Sequence, residues 1–236
     1  IEKTHRQIVT RGEEELPDRS LATRYRFAHA LYQNFLYGGL VTKRRTMLHR
    51  QAGEQLAQHY GKRAPQIATQ LALHFERGRD FARAVEFLIH AGNHATTLYG
   101  NAEAAEHYTR ALSLAEKLPD EAQAETMITL YGKRGAVNMA LSRFGQSADD
   151  YVSMLKHQEV FDSPEKKAAG LNALATTLFF SHRVEEMEVR ANEALAAAKR
   201  VGSETQRLDT MGLMALKHLC YGELALARPI LDEVIR

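Results

Sequence analysis

From Ala28 onward apolar and small residues recur with a helical period, and three stretches repeat one arrangement of them. They are centred on Phe144, Val184 and Leu224, two successive steps of 40 residues. Three residues after each centre stands Ser147, Met187 or Ala227, and seven after stands Tyr151, Ala191 or Leu231. Nine residues before it stands Gly135, Ala175 or Ala215. The spacing has a physical reading. Leu171, Leu174 and Leu178 form a stripe toward a partner helix while Ala175 lets the backbones approach. The answering helix offers Val184, Met187, Ala191 and Ala194 on one face. Residues 65–91 do the same with Leu71, Ala72, Phe75, Phe81, Ala84, Leu88 and Ala91. Helical hairpins of this kind cannot bury their apolar faces alone and must stack.

The pattern predicts helices over 29–37, 43–60, 65–77, 81–98, 101–117, 121–142, 145–158, 164–180, 184–201, 204–221 and 225–236. Gly61, Gly78, Gly100, Gly202 and Gly222 fall just past helix ends, where positive φ is needed. Asp80, Asn101, Asp120 and Ser163 precede helix starts as N-cap acceptors, and Pro164 suits a first helical position. Pro229 is tolerable only if its helix starts close before it. Arg134, His218 and Met154 depart from the repeat, standing where a large apolar, an aromatic and a small residue are expected. The centres Phe81 and Asn101 lie only 20 residues apart, so helix 81–98 should serve two neighbours. Residues 1–28 differ: the runs Arg6–Thr10 and Thr23–Phe27 read as two strands joined by a long polar loop.

Composition narrows the class. With 31 basic and 29 acidic residues the net charge is +2, so non-specific nucleic-acid binding is not expected. The single cysteine, Cys220, excludes an intrachain disulfide framework and agrees with a cytoplasmic, reducing compartment. No apolar run approaches the roughly 20 residues of a membrane span, so no membrane role is expected. Ile1 in place of Met, and Arg236 inside a helical pattern, read as part of a longer protein.

Candidate chemistry is sparse, and no catalytic or metal site is predicted. The phosphate-cradling G-x4-G-K-[ST] loop is absent, so no cofactor is assigned to this chain. His90 and His94 have metal-ligand spacing but nothing completes a set, and Cys220 reads as a small buried hydrophobe. Lys43, Arg44, Arg45, His49 and Arg50 form a basic helix face suited to solvent or an intramolecular acidic surface. If helices 121–142, 164–180 and 204–221 line a concave groove, its inward positions include Met139, Asn172, Thr176, Phe179, Phe180, Leu216 and Leu219. Of Phe179 and Phe180, either one ring leans into the groove as a partner anchor or both belong to the core.

The repeated stretches resemble the tetratricopeptide repeat (TPR) in its degenerate bacterial form. A second resemblance runs through residues 13–117. It is carried in order by Glu13–Asp18, Arg24-Tyr-Arg-Phe-Ala-His-Ala-Leu-Tyr-Gln33, Arg44–Arg50, His74-Phe-Glu-Arg-Gly78, Ala82–Leu88 and Ala104–Leu112. Together these are similar to the stretch after the ATPase domain in bacterial STAND-type signalling ATPases. The implied fold is all-α: a right-handed, TPR-like helical-hairpin solenoid over 61–236, preceded by a hairpin and two helices over 1–60 as a winged-helix remnant. The resemblance implies a non-catalytic sensor and interaction region of a cytoplasmic signalling ATPase or transcriptional regulator. ATP or ADP would be bound only by the parent protein. The expected partners are a protein or small inducer and the intramolecular ATPase domain. On the same resemblance His29, at the strand-to-helix junction, is a candidate sensor of nucleotide state; the alternative is a helix cap. The competing reading of the whole chain is a stand-alone TPR adaptor whose groove binds a peptide or protein.

Overall fold

The computed structural model describes residues 7–158 and 164–235, with Glu121 by its backbone alone. Arg6 and the expected cap Ser163 lie outside the described residues. The chain divides into two compact units, Ile1–Ala91 and Gly92–Arg236.

The first unit opens on an antiparallel hairpin, β1 (Ile8–Glu15) and β2 (Leu21–Phe27), paired from Ile8 with Phe27 to Glu15 with Leu21. The long loop expected between them is therefore largely strand. No alternation marks it, because both faces are open to solvent and carry charges such as the Glu14–Arg24 pair at 2.6 Å. The register shifts between Thr10 and Gly12, where Gly12 takes φ +106°, a bulge conformation that side chains resist. At the turn Asp18 accepts from the Ser20 amide at 2.9 Å and holds His59 at 2.7 Å. The bonds from Ser20 and then His59 pull the Asp18 carboxyl down to about 2.

Helices follow: α1 (Ala30–Gly38), α2 (Thr42–Tyr60), α3 (Ala68–Arg77) and α4 (Phe81–Thr97). Residues Gly61–Ile67 form a 3-10 segment, so the helix expected from 65 begins at Ala68 instead. Pro65 has no N–H for an α-helical bond. Phe75 is fully buried, stacked on Phe87 at 5.6 Å, with the Arg83 guanidinium 4.2 Å from its ring. Arg83 also bonds Asp80 at 2.8 Å and Glu54 at 3.0 Å.

The second unit continues with α5 (Asn101–Ala115) and three hairpins. These are α6 (Asp120–Ala140) with α7 (Phe144–Gln158), α8 (Pro164–Phe180) with α9 (Val184–Val201), and α10 (Glu204–Cys220) with α11 (Leu224–Val234). The repeat is visible in the turns. Ser142, His182 and Gly222 each take φ near +60° to +74°. The residue after each donates five residues back: Arg143 to Asn138 O, Arg183 to Leu178 O and Glu223 to His218 O, at 2.8–2.9 Å. This is the Schellman closure of a helix end. Arg79 repeats it, with Asp80 donating to Phe75 O at 2.9 Å. The left-handed residue there is Arg79 and not the expected Gly78, and before α5 it is Tyr99 and not Gly100.

Asp80 caps α4 by accepting from the Arg83 amide at 3.2 Å. Asn101 and Asp120, expected as caps, are instead the first residues of their helices. Pro229 is the sixth residue of α11, which starts at Leu224.

Small residues sit where helices cross. A Cβ on Gly135 would lie 3.0 Å from the Tyr151 ring, and Ser147 donates to Gly135 O at 2.9 Å. Tyr151, Leu174, Ala175, Leu178, Met187, Ala191 and Leu213 form the continuous core of the hairpins. Each large aliphatic side chain there contributes roughly 1.5–3 kcal/mol by leaving water. Cys220, expected to be buried, is exposed. No residue from Leu216 to Leu226 is buried, because no described element covers the last turn of α10.

Candidate partner-binding site

The repeat places the expected groove positions at equivalent points of α6, α8 and α10. Stepping by 40 residues aligns Met139, Phe179 and Leu219; Ala136, Thr176 and Leu216; and Gly132, Asn172 and Gly212. Within each helix the three positions lie at i, i+4 and i+7, one face of the cylinder. Leu216 and Leu219 are each 41% exposed, and Met139, Asn172, Thr176 and Phe179 are half-buried. Thr176 turns its hydroxyl back to Asn172 O at 2.9 Å. Met139 meets α8 through its sulfur, which accepts from Thr177 Oγ1 at 3.8 Å. Among the described residues Asn172 Oδ1 is buried without a partner, a cost of about 1–3 kcal/mol.

The two phenylalanines part company. Phe179 packs against the core, while Phe180 is 46% exposed. The Phe180 ring meets Phe179 edge-on at 5.4 Å and stacks on Phe144 at 6.1 Å, at the hairpin-turn edge of the array.

Beside this face lies a polar cleft of about 610 Å³ between α5, α6 and α7, lined by Thr109, Arg134, Asn138, Arg143, Asp149 and Asp150 among others. Arg134 Nε reaches both Asp150 oxygens at 3.1 Å, and Nη2 reaches Oδ1 at 2.5 Å. Nη1 bonds Thr109 at 3.1 Å, and the Asn138 amide donates to Asp150 at 2.9 Å. The carboxylate is almost fully buried and the guanidinium mostly so. Burial and then the Asp150 charge push the neighbouring Tyr151 hydroxyl up to about 12. Sequence reasoning noted Arg134 only as a break in the repeat. The signal was an arginine in an apolar slot, 16 residues before an aspartate whose own repeat counterpart is Arg190.

His29, in the first unit, caps α1 from an extended backbone, and its Nδ1 accepts from the Leu31 amide at 3.1 Å. That bond places the neutral ring's proton on Nε2, which points a donor away from the helix. The basic face of α2 is partly engaged. Arg45 lies 5.4 Å from the Tyr37 ring centre, Arg50 pairs with Glu54, and His49 bonds Tyr37 at 2.9 Å and His74 at 3.2 Å. Among the described residues no group of three or more His, Cys, Asp and Glu could hold a metal ion, and no helix is long and apolar enough to cross a membrane.

Solved structures share this architecture. A kinesin light chain from Podospora anserina with nearly identical TPR-like repeats superposes with a TM-score of 0.60 at 14% identity, over 81% of this chain and 92% of that one. The fold is a TPR-like helical solenoid. The Rap conjugation gene regulator, solved with the Phr peptide, matches the TPR-like chain with a TM-score of 0.59 at 14% identity. That match covers 86% of this chain and 62% of the regulator, so the TPR-like chain spans less than two thirds of that protein. NprR, solved with its cognate peptide NprX, matches with a TM-score of 0.51 at 16% identity, over 80% of this chain and 54% of that one. No protein-family model matches the chain, and no curated protein matches it.

Proposed function

We propose that this chain is the partner-reading arm of a regulatory protein, with a peptide or protein segment lying across α6, α8 and α10. The observation that carries this reading is the recurrence of part-exposed apolar side chains, Met139, Phe179 and Leu219, at equivalent points of successive helices, with Leu216 one turn before Leu219 on the same face. Phe180 adds an exposed aromatic anchor at one edge. A ladder of this kind suits an extended or helical segment that presents apolar side chains at regular intervals. Two of the structural neighbours were solved with peptides, which supports the same reading.

The test is peptide selection from a displayed library against the chain. Peptides that bind the wild type should lose at least tenfold affinity on Leu216→Lys and on Phe180→Asp. Peptides that ignore both changes would sink the assignment.

The finer reading, a sensor arm of a STAND-type ATPase, draws support from the first unit. Leu31 is 69% and Phe35 82% exposed along α1, an apolar face suited to packing against a further module. The outward Nε2–H of His29 has the chemistry to donate to a phosphate of ADP held by such a module. In a protein that joins this chain to a P-loop module, His29→Ala should change ADP affinity. Unchanged affinity and activity would remove the sensor role and leave the adaptor reading.

A further inference from the structure

A second cleft, of about 650 Å³, lies between α7, α8 and α9, and its chemistry is not that of the apolar ladder. Its walls include Leu155, Leu171, Ala196 and Ala197, and its rim carries Lys167, Arg190 and Arg200. The acid in its lining, Glu193, is engaged by Arg190 at 2.7 Å. The cleft is therefore apolar in its walls and net positive at its mouth, and its size is that of small-molecule pockets.

The deciding feature is Gln158, which ends α7 and lines this cleft. It is only 4% exposed, yet among the described residues neither its Oε1 nor its Nε2 has a hydrogen-bond partner. Buried polar groups are almost always paired, so a side chain with both halves unpaired calls for a reason. Gly170 on α8 borders it: a Cβ there would stand 3.2 Å from Leu155, closer than ordinary contact, and 3.7 Å from Oε1, an ordinary one. A primary amide with a free acceptor and a free donor side by side is the complement of another amide, which presents the same two groups reversed.

We propose that this cleft binds a small organic anion carrying an amide, an apolar body and a carboxylate: the chemistry of an acylated amino acid. Gln158 pairs with the ligand amide, Leu171 and the alanines cover its side chain, and Lys167 and Arg200 receive the carboxylate. The site does not depend on a partner lying across the ladder, since it is built from α7, α8 and α9 alone.

The chain is titrated with a panel of N-acetyl amino acids, following the Gln158 side-chain amide by ¹⁵N NMR and affinity by calorimetry. At least one acid shifts that resonance and binds with a sub-millimolar Kd. The same acid with its carboxylate capped as an amide binds at least tenfold more weakly, and the Lys167→Ala, Arg200→Ala double variant erases that difference. Gln158→Leu loses at least tenfold affinity while keeping or raising Tm, because it removes two unpaired buried groups. A hexapeptide ending in the same residue separates the sources: tighter binding assigns a peptide end, and equal or weaker binding assigns the free acid. The proposal is overturned if no panel member moves the Gln158 resonance, if Gln158→Leu binds like wild type, or if that variant lowers Tm.

Discussion

Replacing Arg134 with leucine tests whether the polar cleft is a structural burden that the array carries. The change restores the apolar residue found 40 and 80 positions later, Leu174 and Met214, and by repeat logic it should be harmless. The structure says otherwise. Asp150 has only 4% of its side chain exposed and would lose the guanidinium that bonds both its oxygens, keeping only the Asn138 amide. Breaking a buried pair costs about 3–5 kcal/mol. Arg134 itself keeps 22% exposure, so water reaches the pair and the lower end, about 3 kcal/mol, applies. Asp150→Leu should cost less, about 2 kcal/mol, because the freed arginine can turn to solvent. The double variant removes both charges and leaves Asn138 as the orphan, a cost of about 1–2 kcal/mol. The pair should therefore show a coupling of about 3–4 kcal/mol in a double-mutant cycle. Urea unfolding followed by circular dichroism measures all four proteins, and Arg134→Leu should also lower Tm by roughly 6–12 °C in a chain of this size. Strictly additive losses, or an Arg134→Leu variant as stable as wild type, would refute the reasoning.

Three further outcomes are expected. Gly92→Ala should destabilise by about 1–3 kcal/mol in urea melts, since the new Cβ would stand 2.4 Å from the Tyr108 ring, whereas Gly212→Ala, which meets nothing, should not. His182→Gly should stabilise slightly and Gly222→Ala should cost about 1 kcal/mol, because both positions need positive φ; equal and opposite failure of that order would contradict the turn assignment. Stability should fall as pH drops below about 6.5, where the unfolded histidines take up protons. Burial, and then the nearby charges of His74 and Arg77, hold His49 below its ordinary value, and burial and Arg77 do the same for His74. The folded pair thus takes up protons at lower pH than the unfolded chain does, and stability is complete only above that range. His49→Gln with His74→Gln should flatten the acid limb of a Tm–pH curve.

The helices were legible because core and crossing positions dominate their spacing: Ala175, Met187 and Ala191 are fully buried, as a crossing requires. The hairpin was misjudged in length because Glu13–Glu15 lie on a strand with two wet faces, which leaves no alternation to read. Left-handed positions were assigned to Gly78 and Gly100, yet Arg79 and Tyr99 adopt them, since a Schellman closure sets φ by hydrogen bonding even where the side chain resists. The two clefts were illegible for another reason. Asp150 and Gln158 gain meaning from what surrounds them, and neither belongs to a motif with its own spacing.

The turn at Ser142, His182 and Gly222 closes with the same bonds whatever the helices around it carry. Reach and chemistry are thereby uncoupled. A duplicated cassette of one hairpin would lengthen the arm by one step while leaving the angle of its neighbours alone, and substitutions on the exposed faces would change what is gripped without changing how far the arm extends. Such a chain can diverge in length and in cargo as two separate traits.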